Sequence, residues 1–217
     1  MTVLRICFIG DSITAGTSDD DCLGWPGRLC ASERRRGHDV TLYNLGIRGD
    51  TSAMIEPRWR AECAARLPEI HPAALVFAFG INDTAQEADG LLRVPPEKSV
   101  ATARQILSEA KSWRPTLMIG PTPLLRESVA LSVQPTGPRE MREDRIAATS
   151  KAYAEICAGI GVPYLDLFAA LPADARFRTA MAQGDGVHPT AEGYAAMAEL
   201  IGRWPAWRAW FDQAGNA

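Results

Sequence analysis

Ala74-Leu75-Val76-Phe77-Ala78-Phe79 is an unbroken apolar run, closed by Gly80-Ile81-Asn82-Asp83. A strand with one covered face alternates apolar and polar side chains, so a run without alternation marks a strand buried on both faces. Such strands belong to parallel sheets flanked by helices. Working outward, residues 5–9, 40–44, 116–119 and 162–167 carry short strand patterns as well. Between them, apolar residues recur at three- and four-residue steps: Val100, Ala103, Ile106, Leu107 and Ala110, then Ile146, Tyr153, Ile156 and Cys157. Tyr194, Met197, Leu200, Ile201 and Trp204 repeat the pattern, and residues 24–36 and 51–67 read as helices too.

Strands alternating with helices imply right-handed βαβ crossovers. Five strands predict a flavodoxin-like, doubly wound α/β sandwich of three layers around a five-stranded parallel sheet. At 217 residues the chain is about 1.4 times a typical domain of ~150 residues, and no repeat or linker divides it. Residues 1–217 are therefore expected to form a single catalytic-size domain. Residues 80–96 and 120–138 are long connections for such a fold. Both follow strands, which puts them at the carboxyl edge where open α/β sheets bind ligands, as walls or a lid.

Composition excludes several classes. A chain that is 47% hydrophobic and 23% charged is neither disordered nor fibrous. A net charge of −3, with no basic run longer than Arg34-Arg35-Arg36, is not the footprint of a nucleic-acid binder. Cys7, Cys22, Cys30, Cys63 and Cys157 are odd in number and irregular in spacing, which fits a reducing cytoplasm and buried thiols such as Cys22 and Cys157 better than a disulfide framework. No apolar stretch approaches the ~20 residues of a membrane span, and residues 1–9 do not read as a signal peptide. His38, His71 and His188 show no zinc-ligand spacing, so neither a metal nor a cofactor is expected.

The first strand pattern ends in Gly10-Asp11-Ser12-Ile13-Thr14. A serine just past a buried strand can be a nucleophile at the sheet edge, and Gly-Asp-Ser is equally ordinary turn chemistry. It is not the G-x-S-x-G elbow, because Thr14 stands where that pattern needs glycine. Near the far end, Asp185-Gly186-Val187-His188 offers an imidazole and, three residues earlier, a carboxylate to orient it. Serine needs such a base to become nucleophilic. The competing reading is a helix-capping aspartate beside a surface histidine. Acyl transfer further needs donors for the developing oxyanion. A glycine amide in Asn44-Leu45-Gly46-Ile47-Arg48-Gly49-Asp50-Thr51 and the amide of Asn82 each lie just past a strand, where they are oxyanion donors or simple turn residues.

Taken together and in order, these blocks resemble the SGNH (GDSL-type) hydrolase superfamily. Gly10-Asp11-Ser12 resembles its nucleophile block, with Ile13 for the commoner leucine, and Gly80-Ile81-Asn82-Asp83 its GxND block. Asp185 to His188 resembles its DxxH block. The resemblance implies a serine esterase with Ser12, Asp185 and His188 as catalytic residues. It further implies an oxyanion hole of Ser12, Gly49 (rather than Gly46) and Asn82, and a small, short-acyl ester as substrate. Acyltransferase, thioesterase and lysophospholipase activities belong to the same superfamily, and a non-catalytic flavodoxin-like binding module is the rival from another class.

Asp19-Asp20-Asp21 reads as a solvated loop rather than a cation site, and Asp11 and Asp83 as loop-fixing residues. Residues 205–217 form a short aromatic helix or tail. Trp207, Trp210 and Phe211 share one face, which docks on the domain's own core, joins copies of the chain in a homo-oligomer or forms a hydrophobic wall near the site.

Overall fold

The structure is a computed structural model, described here for residues 1–133 and 137–212. In chain order its elements begin with β1 (Val3–Gly10), α1 (Ser12–Ala15), α2 (Gly24–Arg35), β2 (Asp39–Gly46), α3 (Ser52–Ile55), α4 (Trp59–Ala64) and β3 (Ala73–Ala78). They continue with α5 (Pro96–Trp113), β4 (Thr116–Ile119), β5 (Ser128–Val133), β6 (Gly137–Arg142), α6 (Glu143–Ile160) and β7 (Tyr164–Leu165). The chain closes with α7 (Leu167–Ala170), α8 (Ala175–Gln183), α9 (Ala191–Arg203) and α10 (Pro205–Asp212). Five parallel strands form one sheet in the order β2-β1-β3-β4-β7.

Period-two alternation along each strand sorts the apolar residues into two cores. Ile6 and Phe8 of β1, Val76 of β3 and Ile119 of β4 face α2, α8, α9 and α10. Their neighbours Cys7, Ile9, Phe77 and Met118 face α3, α4, α5 and α6. This is the doubly wound three-layer α/β sandwich that the buried run at β3 implied.

Register sets the site. Gly10, the last residue of β1, pairs with Gly46 of β2 and Ala78 of β3. Three loops therefore leave the sheet at one level, those carrying Ser12, Gly49 and Asn82.

Several local expectations are corrected. Residues 51–67 are two short helices, because Pro57 has no N–H with which to continue the ladder. Only Tyr164 and Leu165 of residues 162–167 pair, since Pro163 likewise lacks a donor and Asp166 turns to cap α7 by accepting from the Ala169 amide. Residues 120–138 are not simply a loop: they contain β5, which pairs antiparallel with β6, and residues 134–136 lie outside the described residues. Asp19 is buried rather than solvated. It accepts from the amides of Asp21, Leu23 and Gly24 and is ion-paired with Arg28. Burial alone would raise its pKa, but these partners hold the Asp19 carboxyl below its ordinary range. Cys22 is exposed, with left-handed backbone, while Cys157 is buried.

Helix α10 answers part of the question about residues 205–217, of which 213–217 lie outside the described residues. Its apolar face covers the chain's own core: Trp207 and Phe211 are buried, and Trp207 sits against Phe8. The indole N–H of Trp207 and the guanidinium of Arg208 both donate to the buried Glu33, at 3.1 and 2.6 Å. Among the described residues, no helix is long and apolar enough to cross a membrane.

Candidate active site

Ser12 opens α1 directly after β1, and Asp11 caps that turn by accepting from the Ile13 amide at 2.9 Å. Burial pushes the Asp11 carboxyl up to about 7, against the opposing Ile13 hydrogen bond and the charge of His188. Although Ser12 and His188 are 176 positions apart, Ser12 Oγ lies 2.8 Å from His188 Nε2. The other ring nitrogen, Nδ1, lies 2.7 Å from Asp185 Oδ2. The second carboxylate oxygen of Asp185 accepts from the amides of Val187 and His188, at 2.9 and 2.8 Å. One aspartate thus both shapes the loop and orients the ring. Partial burial works to raise its pKa, but hydrogen bonds from the His188 ring and amide outweigh it, holding Asp185 at about 2.

Thr190 precedes α9 without a side-chain cap, so Asp185 is bound to the histidine, not to the helix.

The expected oxyanion donors converge on the same space. Ser12, Gly49, Asn82 and His188 line one cavity of about 130 Å³. Gly49 has φ +80°, a left-handed conformation that favours glycine. Neither the Ser12 nor the Gly49 amide donates to another described residue. Asn82 is 9% exposed, and its Nδ2 donates one hydrogen to the Asp50 carbonyl at 3.1 Å, so one amide hydrogen has no acceptor among the described residues. Ile81, Ala85, Leu131, Met141 and Val187 supply apolar lining, and Leu131 and Met141 come from the β5–β6 hairpin. A roomier groove of about 370 Å³ between α2 and α9 contains none of these groups.

Behind the cavity lies a polar support. Asp83 accepts from the Ser52 amide at 2.7 Å, from the hydroxyls of Ser52 and Ser99 at 2.5 Å each, and from Tyr153 at 3.4 Å. Arg58 ties the ends of β1 and β2 to the Asp50 loop, donating to Asp50 and to the carbonyls of Leu45 and Gly10. Asn44 donates to the Thr14 carbonyl and accepts from the Gly46 amide, tying the second block to the Ser12 turn. The role of Asp83 as a loop-fixing residue has a signal in the sequence; Ser99, Tyr153 and Arg58 have none.

This arrangement can deliver a proton from serine to imidazole and hold negative charge above the serine. The sequence profile of the GDSL-like lipase/acylhydrolase family matches residues 8–196. Esterase TesA of Pseudomonas aeruginosa is 26% identical over 198 residues, spanning 91% of this chain and 84% of that protein. The crystal structure of a lipase/acylhydrolase from Enterococcus faecalis has a TM-score of 0.69 at 24% identity, covering 96% of this chain and 97% of that one. Axe2, an acetylxylan esterase from Geobacillus stearothermophilus, has a TM-score of 0.69 at 19% identity, with 95% and 93% covered. The two structural likenesses speak to the fold alone. With the family match, the alternative of a non-catalytic binding module falls. The chain belongs to the GDSL-like lipase/acylhydrolase family and is an ester-hydrolysing enzyme.

Proposed function

We propose that Ser12 is the nucleophile, His188 the general base and Asp185 its orienter, acting on small carboxylic esters. Ser12 Oγ adds to the acyl carbon as its proton passes to His188 Nε2. The carbonyl electron pair moves to oxygen, where the amides of Ser12 and Gly49 and the Asn82 side chain receive it. Collapse expels the alcohol, which takes the proton from Nε2 and leaves an acyl-serine. Water, deprotonated by His188, repeats the addition and releases the carboxylic acid and free Ser12. The step needs neither metal nor cofactor. The hydrogen-bond chain Ser12–His188–Asp185, at 2.8 and 2.7 Å, is the observation that carries this reading.

Short acyl groups suit the cavity: about 130 Å³ is close to the ~150 Å³ of an engineered protein cavity that takes up a benzene molecule. In this reading residues 1–217 act as one catalytic domain in the cytoplasm, with a small-molecule ester as partner and no nucleic acid or membrane required.

A series of 4-nitrophenyl esters from acetate to octanoate, run with wild type and Ser12→Ala, tests both halves. Turnover is expected to peak at the short end, and Ser12→Ala to lower kcat by about 10⁴-fold or more. Wild-type turnover in Ser12→Ala would end the nucleophile assignment, and fastest turnover of octanoate would end the short-acyl one.

A further inference from the structure

The cavity that holds Ser12 is also lined by Arg48 and Arg139. Arg93 adjoins it, donating to the carbonyl of Gly49 at 2.7 Å. Arg139 reaches the same glycine from the hairpin: a Cβ on Gly49 would lie 3.9 Å from Arg139 Nη1. The side chains of Arg93 and Arg139 are only 9% and 11% exposed. One carboxylate faces both, Glu87, at 3.5 Å from Arg93 and 3.4 Å from Arg139. Those separations exceed the usual range of a charge-assisted hydrogen bond. The Nε of Arg139 is buried with no acceptor among the described residues.

The other nearby carboxylates are committed elsewhere. Asp50 pairs with Arg58 and Asp185 engages His188, while Asp83 is bonded to the uncharged Ser52, Ser99 and Tyr153 and, with Asp50, acts on Arg93 only at longer range. Glu140 accepts from Ser128. Among the described residues, Glu87 is therefore the one carboxylate within 4 Å of the two buried guanidiniums, Arg93 and Arg139, while Arg48 is exposed at the cavity mouth. Buried cations without matching anions are costly, and a guanidinium fork matches the two oxygens of a carboxylate.

We propose that the ester substrate carries a carboxylate, which docks on Arg139 and Arg48 beside the Gly49 loop. The inference rests on the reading of Ser12 as nucleophile and adds a substrate class to it: half-esters of short dicarboxylic acids, or acyl esters of hydroxy acids. Arg93, tied to the Gly49 carbonyl, is a positioning residue that holds the oxyanion loop.

The test compares kcat/KM for charged and neutral partners in two arms. Monoethyl succinate against ethyl butanoate places the carboxylate on the acyl half; 3-acetoxybenzoate against its methyl ester places it on the alcohol half. The wild type is expected to favour the anion by about tenfold or more in one arm, as charge-assisted bonding would give. Arg139→Gln should then reduce that ratio about fivefold or more, whereas Glu87→Gln, which removes the competing carboxylate, should raise it. A wild-type ratio of one or less in both arms overturns the proposal. So does a Glu87→Gln ratio that fails to rise, a result available even if Arg139→Gln does not fold. Loss of neutral-ester turnover in Ser12→Ala alongside an indifferent wild type would sink this inference and leave the nucleophile standing. Persistent turnover in Ser12→Ala would sink the nucleophile itself.

Discussion

At the scale of single residues, polar atoms at the cavity are assigned narrow tasks. Asn82 spends one amide hydrogen on Asp50, and in the proposed mechanism the other serves the oxyanion. Removing an oxyanion donor costs about 10²–10³ in kcat where it has been measured. Asn82→Ala is therefore expected to lower kcat on 4-nitrophenyl acetate by that order with little change in KM; a fall of less than about fivefold would contradict the role. Asp11 makes a prediction about pH. Its carboxyl sits at about 7 when folded, against an ordinary 3.8. Between those values the folded protein holds a proton that the unfolded chain releases, so stability falls as pH rises through the window, by on the order of 4 kcal/mol. Asp11→Asn, uncharged and still able to accept from the Ile13 amide, should flatten that slope in urea titrations at pH 4.5 and pH 8. An unchanged slope would show that Asp11 is not its source. Asp185, held at about 2, has the opposite sign: its contribution is present above pH 4 and lost as pH falls toward 2.

The same scale shows what could be read from the sequence. Ser12, Gly49, Asn82 and the Asp185–His188 pair each stand just beyond a regular element or within four residues of one another, so local spacing exposes them. The Asp83 cluster joins residues 16 and 70 positions away, and Arg93 meets Gly49 across 44. Nothing in local spacing marks such pairs, which exist only once the sheet has folded.

At the scale of elements, strands and long helices announced themselves through period, and breaks came from proline. The β5–β6 hairpin was missed, although Val129, Leu131 and Val133 alternate with small or polar residues in the way a half-covered strand requires. Its length of six residues per strand was hidden by an expectation of loop. Helix α10 was foreseen as an aromatic face, and whether it met its own core or another copy depended on tertiary contacts. Trp207 is buried and its indole N–H satisfies Glu33. Trp207→Ala should lower stability by about 3–5 kcal/mol in urea unfolding, through a cavity and a carboxylate left with one donor fewer. A change under about 1 kcal/mol would mean that the helix does not dock as described.

At the scale of the molecule, the site exists because strand register brings three loop origins to one level and the last loop returns His188 to the first strand. Ser12 and His188 come from opposite ends of the chain, 176 positions apart. In the proposed mechanism the serine is ordinary in the unfolded chain and activated only in the complete sheet. A fluorophosphonate that traps activated serines, followed by peptide mass spectrometry, reads this directly. The wild-type protein should take up one adduct, on the peptide containing Ser12. Labelling should disappear in His188→Ala and in urea-unfolded protein. An adduct on another residue, or Ser12 labelled as fast in His188→Ala as in wild type, would contradict the assignment of Ser12 as a nucleophile activated by His188.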